Sequence, residues 1–470
     1  MTSAFDLAVV GGGSAGYAAA RTAAALGLKV AVVEGGERVG GLCILRGCMP
    51  TKAMLESAHR NHEIGRAAEF GIRVGKPKPD WKAILKRKDR LISEFADYRQ
   101  SQLEKGKFSF FRAKGRFTTP NHLALEKIGK ERVPTEIEAK TFLICTGSRS
   151  AQRDIPGLSE AGYWTSDDCL EASKPVKSLI VLGGRAVAME FAQYYAHLGV
   201  KVTVIQRSER LLPESDPEVG ETMSDVFHKD GMKVYCGTQI ERVEKNNGIK
   251  SVCFLHGGRK KSVAAEEILQ ALGREPNLEG LNLSVTGVKT ERGKVLTQPT
   301  QQTNVPYIFA AGDVCGPYEV VHLAIQQGET AAKNAALYLE GKKPKEKMDY
   351  RMKLEVIFTS PEVGAVGYSE RECQEKGWEI VTASYPFNDH GKSIVMGEMF
   401  GFVKLIAMKG SGEIVGSQVV GPHASDLIHE PMSIMRYRGT VKDMAEMPHY
   451  HPTLSEIWSY PAEEIMGKLD

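Results

Sequence analysis

The sequence predicts an α/β protein with two nucleotide-type βαβ units followed by a further domain of strands and helices. Three observations lead there. A short apolar run at 5–10, FDLAVV, enters the turn Gly11-Gly12-Gly13-Ser14-Ala15-Gly16, then an alanine-rich stretch and a second strand, VAVVEGG. The same order returns at SLIVL, residues 178–182, with the turn Gly183-Gly184-Arg185-Ala186-Val187-Ala188 and the strand VTVIQ. From about residue 350 the pattern changes, and it ends in HYHPTLSEIW at 449–458.

In the first unit, strand, glycine turn, helix and strand follow in the order that gives GxGxxG its meaning. Gly11 and Gly13 let the backbone turn tightly and approach a pyrophosphate, and Gly16 lets the helix pack on the sheet. The helix N-terminus, opened by Ser14 and Ala15, faces the phosphates. Glu34 ends the second strand about 20 residues on, where a carboxylate accepts from ribose hydroxyls. The alternative is a glycine-rich turn without a ligand.

The stretch GGLCILRGCMPTK, residues 40–52, carries Cys43 and Cys48 five apart. In a regular helix such positions lie about 140° apart around the axis and about 7.5 Å along it. A disulfide needs Cα atoms within roughly 4.4–6.8 Å. The spacing therefore predicts a loop up to Gly47 and a helix from about Cys48, with Pro50 in its first turn. Cys48 then sits at the positive helix end, where a thiolate is stabilised. The pair reads as a redox centre, against two unpaired buried cysteines.

Residues 53–105 read as helical and polar, and the basic run Lys82, Lys86, Arg87, Lys88 and Arg90 reads as a solvated face. Strand patterns fill 108–146 and end in TFLICTG. Pro156 and Gly157 mark a linker. In the second unit Arg185 stands where the backbone should meet a phosphate, and alanine at 188 is tolerated. Gln206 replaces the ribose carboxylate, with Arg207, Ser208 and Arg210 behind it. That basic cluster suits a 2′-phosphate and favours NADPH over NADH; a surface arginine pair is the plainer account. ALGREPN at 271–277 closes the unit, and a strand ending in Gly312-Asp313 follows.

Thr453-Leu454-Ser455-Glu456 matches a capping box. Equally, Glu456 can orient His451, held extended before Pro452, fixing its tautomer so that the other ring nitrogen exchanges protons with a thiol. Both readings stand on local sequence.

Hydrophobic content of 42% and charged content of 25% are those of ordinary globular material, and a net charge of +3 argues against nucleic acid or a membrane surface. No apolar run reaches about 18 residues. The N-terminus lacks a basic region and cleavage site, which predicts a cytoplasmic protein. Eight cysteines are too few for a disulfide framework. No metal site is expected.

Together GGLCILRGCMPTK, the GxGxxG with Glu34, Cys145-Thr146-Gly147, ALGREPN, AAGDV and HPTLSE resemble the pyridine nucleotide–disulfide oxidoreductases, a class that includes dihydrolipoamide dehydrogenase, glutathione reductase and mercuric reductase. Leu42 departs from the family's usual threonine. The resemblance covers essentially the whole chain. It implies two Rossmann-type domains, for FAD and NAD(P), and a C-terminal α+β dimerisation domain. The boundaries are 1–150 and 276–349 for FAD, 151–275 for NAD(P) and 350–470 for the homodimer interface.

It further implies that FAD is held by Gly11, Gly13, Ser14, Ala15, Gly16, Glu34, Gly41, Lys52, Thr146, Gly147, Gly312 and Asp313, the last binding the ribityl chain. The pyridine nucleotide, NADPH or NADH, falls to Gly183, Arg185, Gln206, Arg207, Gly273 and Arg274. Cys48 faces the flavin, Cys43 exchanges with substrate, and Lys52 pairs with Glu190 beside the flavin. His451 and Glu456 form a catalytic dyad across the dimer, a role that coexists with capping.

Within the class, the second turn and Gln-Arg-Ser look like mercuric reductases. The chain carries neither their C-terminal cysteine pair nor an N-terminal CxxC, and it keeps the His-Glu dyad they lack. The expected activity is thus disulfide–dithiol exchange with a small substrate such as lipoamide. A metal-ion or quinone reductase, and a flavin-bound scaffold with its second nucleotide site obstructed by Arg185, are the alternatives.

Overall fold

A computed structural model describes residues 3–129 and 132–469 of the chain. The outer ends of the first and last expected domains, Met1–Thr2 and Asp470, lie outside them. The chain divides into two compact units, each assembled from three segments. The first comprises Met1–Ala53, Lys86–Gln152 and Gly273–Asp349; the second comprises Met54–Leu85, Arg153–Leu272 and Tyr350–Asp470.

In the first unit β1 (Ser3–Val10) leads through the glycine turn into α1 (Ser14–Ala25) and β2 (Val30–Glu34). The redox stretch forms α2 (Gly41–Leu45), and α3 (Cys48–Arg66) follows. After α4 (Trp81–Glu104) come β3 (Ser109–Thr119), β4 (His122–Lys127), β5 (Glu136–Ile144) and β6 (Ser148–Ser150). The parallel sheet runs Ile308–Ala310, β5, β1, β2, β3, and β4 pairs antiparallel with both β3 and β5. Its strands read as continuous apolar runs because both faces are covered. All five residues of β2 are buried. On one face α1 packs against the helix Val321–Leu339 so tightly that a Cβ on Gly328 would fall 2.2 Å from the Ala15 carbonyl oxygen.

The second unit holds a parallel sheet in the order Glu267–Gln270, Ser178–Leu182, Lys201–Ile205, Lys233–Tyr235. A three-stranded antiparallel meander spans 238–265. Its C-terminal part is a five-stranded antiparallel sheet, outermost strands Leu354–Ile357 and Ile380–Pro386, covered by helices that include Ser459–Leu469.

Three expectations are corrected. The loop expected up to Gly47 contains the helical turn α2, and Cys43 lies in it. Lys88 is not solvated: 3% of its side chain is exposed, and its ammonium pairs with Asp89 at 2.8 Å. Segment 54–85 groups with the second unit, whereas residues 273–275, expected in the nicotinamide domain, belong with the first because Arg274–Pro276 pairs antiparallel with β6.

Candidate active site

The first glycine turn is built to leave its backbone open. Gly11 has φ +108°, and a Cβ there would sit 2.4 Å from the Cys145 carbonyl oxygen. Glu34 fixes the turn from the end of β2. Its carboxylate accepts from the Gly12 N–H at 2.7 Å and the Gly36 N–H at 2.6 Å. Arg112 donates to the carbonyls of Gly36 (2.7 Å) and Glu37 (2.9 Å), tying down the loop behind it. Gly41 has φ +67°, and its backbone lies against Gly13. Gly13 is the N-cap of α1, and Ser14, Ala15 and Gly16 form its first turn.

The far side of this cradle is Thr146-Gly147 and Gly312-Asp313. The Thr146 hydroxyl is buried and finds no partner among the described residues. The Gly312 N–H donates to Gln327 at 2.7 Å, and Ser148 donates to Asp313 at 2.5 Å. Arg274 donates to the Ser148 hydroxyl (2.8 Å) and carbonyl (2.9 Å). Gly273 and Arg274 thus stand in the same unit as Asp313, and Arg274 braces its neighbour. An orphaned hydroxyl beside an opened glycine turn and a carboxylate fits a dinucleotide such as FAD.

Cys43 and Cys48 are both thiols, joined by a hydrogen bond. That bond, burial and the charge on Cys48 hold the Cys43 thiol far above its ordinary range, while Lys52 and Arg99 pull the other way. Cys48 is the first residue of α3 and Lys52 stands one turn on. Sequence reasoning missed Arg99, a cation of α4 that stacks on Tyr17 at 4.1 Å. Nothing in YRQSQ distinguishes it from a surface arginine.

In the second unit Gly183 has φ +119°, and a Cβ there would meet the Ala271 carbonyl oxygen at 2.6 Å. Arg185 begins the helix Ala186–His197 in extended conformation. Its guanidinium pairs with Glu214 and its side chain is 68% exposed, so it rests on the surface rather than filling the turn. Gln206 is buried and accepts from the N–H of Arg207, which is exposed. Glu190 is buried and accepts from the Phe358 N–H at 3.0 Å.

Of the two contacts that HPTLSE allows, the structure forms the one between Glu456 and His451. His451 Nδ1 lies 2.9 Å from Glu456 Oε2. The capping box does not form: the 3₁₀ turn Ser455–Trp458 has Leu454 at its N-cap and no side-chain cap bond. The expected coexistence of capping with the dyad is therefore corrected. Glu456 is committed to histidine, and to a second one that the sequence did not indicate. His390 Nε2 stands 3.4 Å from Glu456 Oε1, within ion-pair range but short of hydrogen-bond alignment.

Among the described residues, two other clusters gather ligand-type atoms. Asp216, Glu218 and Glu370 surround the buried Lys404 ammonium, which occupies their centre. His62, His197 and Asp230 converge within 4.8 Å, but the two imidazoles stack at 4.0 Å and 19°. Stacked rings point their in-plane lone pairs side by side, a poor geometry for one metal ion.

Residues 5–328 match the family model of the pyridine nucleotide-disulphide oxidoreductases, and residues 354–461 match the dimerisation domain of the same family. The chain belongs to this family. It is an FAD-dependent NAD(P)H–disulfide oxidoreductase. Dihydrolipoyl dehydrogenases of Chlamydia muridarum and Bacillus subtilis are 34% and 32% identical to this oxidoreductase. The first alignment covers 98% of this chain and 97% of the relative, the second 100% and 99%. A mercuric reductase of Bacillus cereus is 34% identical over 96% of this chain and 70% of its own. In fold, the chain is similar to a Cu(II) complex of the HOCl-induced flavoprotein disulfide reductase RclA from Escherichia coli, with TM-score 0.85 and 22% identity over 99% and 100% of the two chains. Among the described residues, no helix is long and apolar enough to cross a membrane.

Proposed function

We propose that this oxidoreductase is a cytoplasmic homodimer that exchanges electrons between a pyridine nucleotide, NADPH in preference to NADH, and a small disulfide such as lipoamide. The observation that carries the reading is the 2.9 Å contact between His451 Nδ1 and Glu456, on an imidazole whose side chain is 78% exposed. A proton-handling pair suits a reaction in which sulfur leaves as a thiolate.

In the reducing direction the Cys43 thiolate attacks one sulfur of the substrate disulfide. The S–S bond breaks, the departing sulfur takes the proton of the His451 imidazolium, and Cys43 is left in a mixed disulfide. Cys48 then attacks Cys43 and releases the second thiol, closing the Cys43–Cys48 bridge. Bound FAD supplies the two-electron relay between nicotinamide and this bridge. Reversed, the same groups oxidise a dithiol, with His451 as base.

The cofactor assignments belong to the same proposal. Segments 1–53, 86–152 and 273–349 hold FAD, with Thr146 and Asp313 facing it. Segment 153–272 holds the nicotinamide nucleotide, with Arg207 beside the 2′-phosphate, and 350–470 forms the dimer interface that brings His451 to the thiols. The dihydrolipoyl dehydrogenase relatives, matched over nearly their full length, favour lipoamide.

A mercuric-reductase-like reduction of metal ions is the second reading, favoured by the arginine in the second glycine turn and by the Bacillus cereus relative. Steady-state kcat/KM for NADPH and NADH against lipoamide, glutathione disulfide and Hg(II) separates the two. Lipoamide is expected to lead; a dominant Hg(II) activity overturns the proposal.

A further inference from the structure

Glu456 serves two histidines in unlike surroundings. His451 is exposed and bonds Oε2; His390 is fully buried and faces Oε1. His390 Nε2 faces the Glu456 carboxylate without a formed hydrogen bond; because a carboxylate only accepts, the ring proton is assigned to that nitrogen. Nδ1 is then an acceptor, and the Ser393 hydroxyl stands 2.8 Å from it. One chain of donors follows: Ser393 O–H to His390 Nδ1, His390 Nε2–H toward Glu456 Oε1, and His451 Nδ1–H to Glu456 Oε2.

Burial holds His390 below the ordinary imidazole range, against the pull of Glu456, so the ring is neutral at neutral pH. The charged and titratable groups around it are few. Glu456 and His451 face it, the Tyr460 ring lies edge-on at 6.4 Å, and Tyr460 stacks on Tyr385, whose hydroxyl donates to Asp389. An imidazole without solvent contact is an expensive core residue unless its polar atoms are used. Here one nitrogen meets a hydroxyl and the other is aimed at the carboxylate of the dyad.

We propose that His390 is a positioning residue for the reaction: as a neutral donor it restrains the Glu456 carboxylate and shares its charge, which sets the tautomer and the proton affinity of His451. The proposal rests on the dyad reading above, and it touches neither substrate nor cofactor.

The test compares the holoenzyme with His390→Leu, His390→Gln, His451→Gln and the double variant His390→Leu/His451→Gln, by pH profiles of kcat and KM for lipoamide reduction. Without the buried donor, Glu456 presents its whole charge to His451, so His390→Leu is expected to move the alkaline limb to higher pH. Its kcat is expected to fall by roughly tenfold, part of the 10²–10⁴ that acid–base assistance supplies, with KM little changed. His390→Gln keeps a donor and is expected to restore most of the limb position. In the His451→Gln background, His390→Leu is expected to cause no further loss.

A limb that stays in place or moves to lower pH in His390→Leu, with the enzyme folded and His451→Gln impaired, overturns this inference alone. A His451→Gln enzyme with normal turnover removes the dyad reading itself. Should His390→Leu not fold, His390→Phe, which also removes the donor, decides the matter by ¹⁵N chemical shifts of His451: a mixed tautomer supports the proposal, and an Nδ1–H tautomer as in the wild type overturns it.

Discussion

A methyl group on Gly41 would lie 2.7 Å from the Cα of Gly13. The redox stretch and the nucleotide turn therefore meet backbone to backbone, with no room for a side chain at residue 41. Gly41→Ala faces this clash and a φ of +67° at once. The expected cost is about 1–3 kcal/mol of stability together with loss of bound flavin. Gly65→Ala in α3, where nothing lies within 4 Å, is the control and is expected to stabilise by about 0.5–1 kcal/mol. Thermal melts and the visible absorbance of the purified variants check both.

His451→Gln is expected to lower turnover with lipoamide by roughly 10²–10⁴ while FAD content and melting temperature stay as in the wild type. Flavin absorbance and steady-state rates from one preparation decide it.

The two thiols are coupled, and the bond from Cys48 is the largest influence holding the Cys43 thiol up. Removing it in Cys48→Ala is expected to lower the Cys43 pKa, with Lys52 and Arg99 now unopposed by a neighbouring sulfur. The rate of Cys43 alkylation by iodoacetamide at pH 8, read by peptide mass spectrometry on reduced protein, is expected to rise at least tenfold over its rate in the reduced wild type. An unchanged rate would mean that burial alone governs Cys43.

Lys404 holds three carboxylates in the second unit, with its own side chain 2% exposed. Asp216 keeps a raised pKa through burial even with the lysine present. Lys404→Met leaves the buried Asp216 without its cation, with only the Glu370 N–H still bonded to it, which is expected to cost about 3–5 kcal/mol. Urea unfolding at pH 7 measures it.

His59 is depressed to about 4, first by burial and then by His197 and His62. The unfolded chain binds a proton here at about pH 6.5, whereas the folded one resists until about pH 4. Its contribution is thus present above about pH 6.5 and lost as pH falls toward 4. His59→Gln is expected to flatten the fall of the unfolding midpoint across that window, by up to roughly 3 kcal/mol in stability.

Local chemistry made the nucleotide turns and the start of α3 legible. Glycines that need φ above zero, and a proline one turn into a helix, declare themselves without tertiary context. The dyad was half legible: sequence placed His451 and Glu456 five apart but could not choose between a cap and an ion pair. The choice depends on where the 3₁₀ turn begins, one residue later than a capping box requires. His390 and Arg99 were invisible because each comes from a distant segment and acts only through a fold contact, and Ser148 because its partners Asp313 and Arg274 do. Lys88 misled for the same reason, since a lysine in a basic helical run carries no mark of burial.

Glu34 is bonded to the Gly12 and Gly36 amides of its own turn, one to each carboxylate oxygen. Exchanging it for glutamine would set an NH₂ against one of those N–H groups whichever way the amide flips. Neutralising the charge thus unsettles the very bend that shapes the cradle. The carboxylate that we propose receives the ribose is also the one that holds the loop, so no single substitution there can weaken the first role while sparing the second.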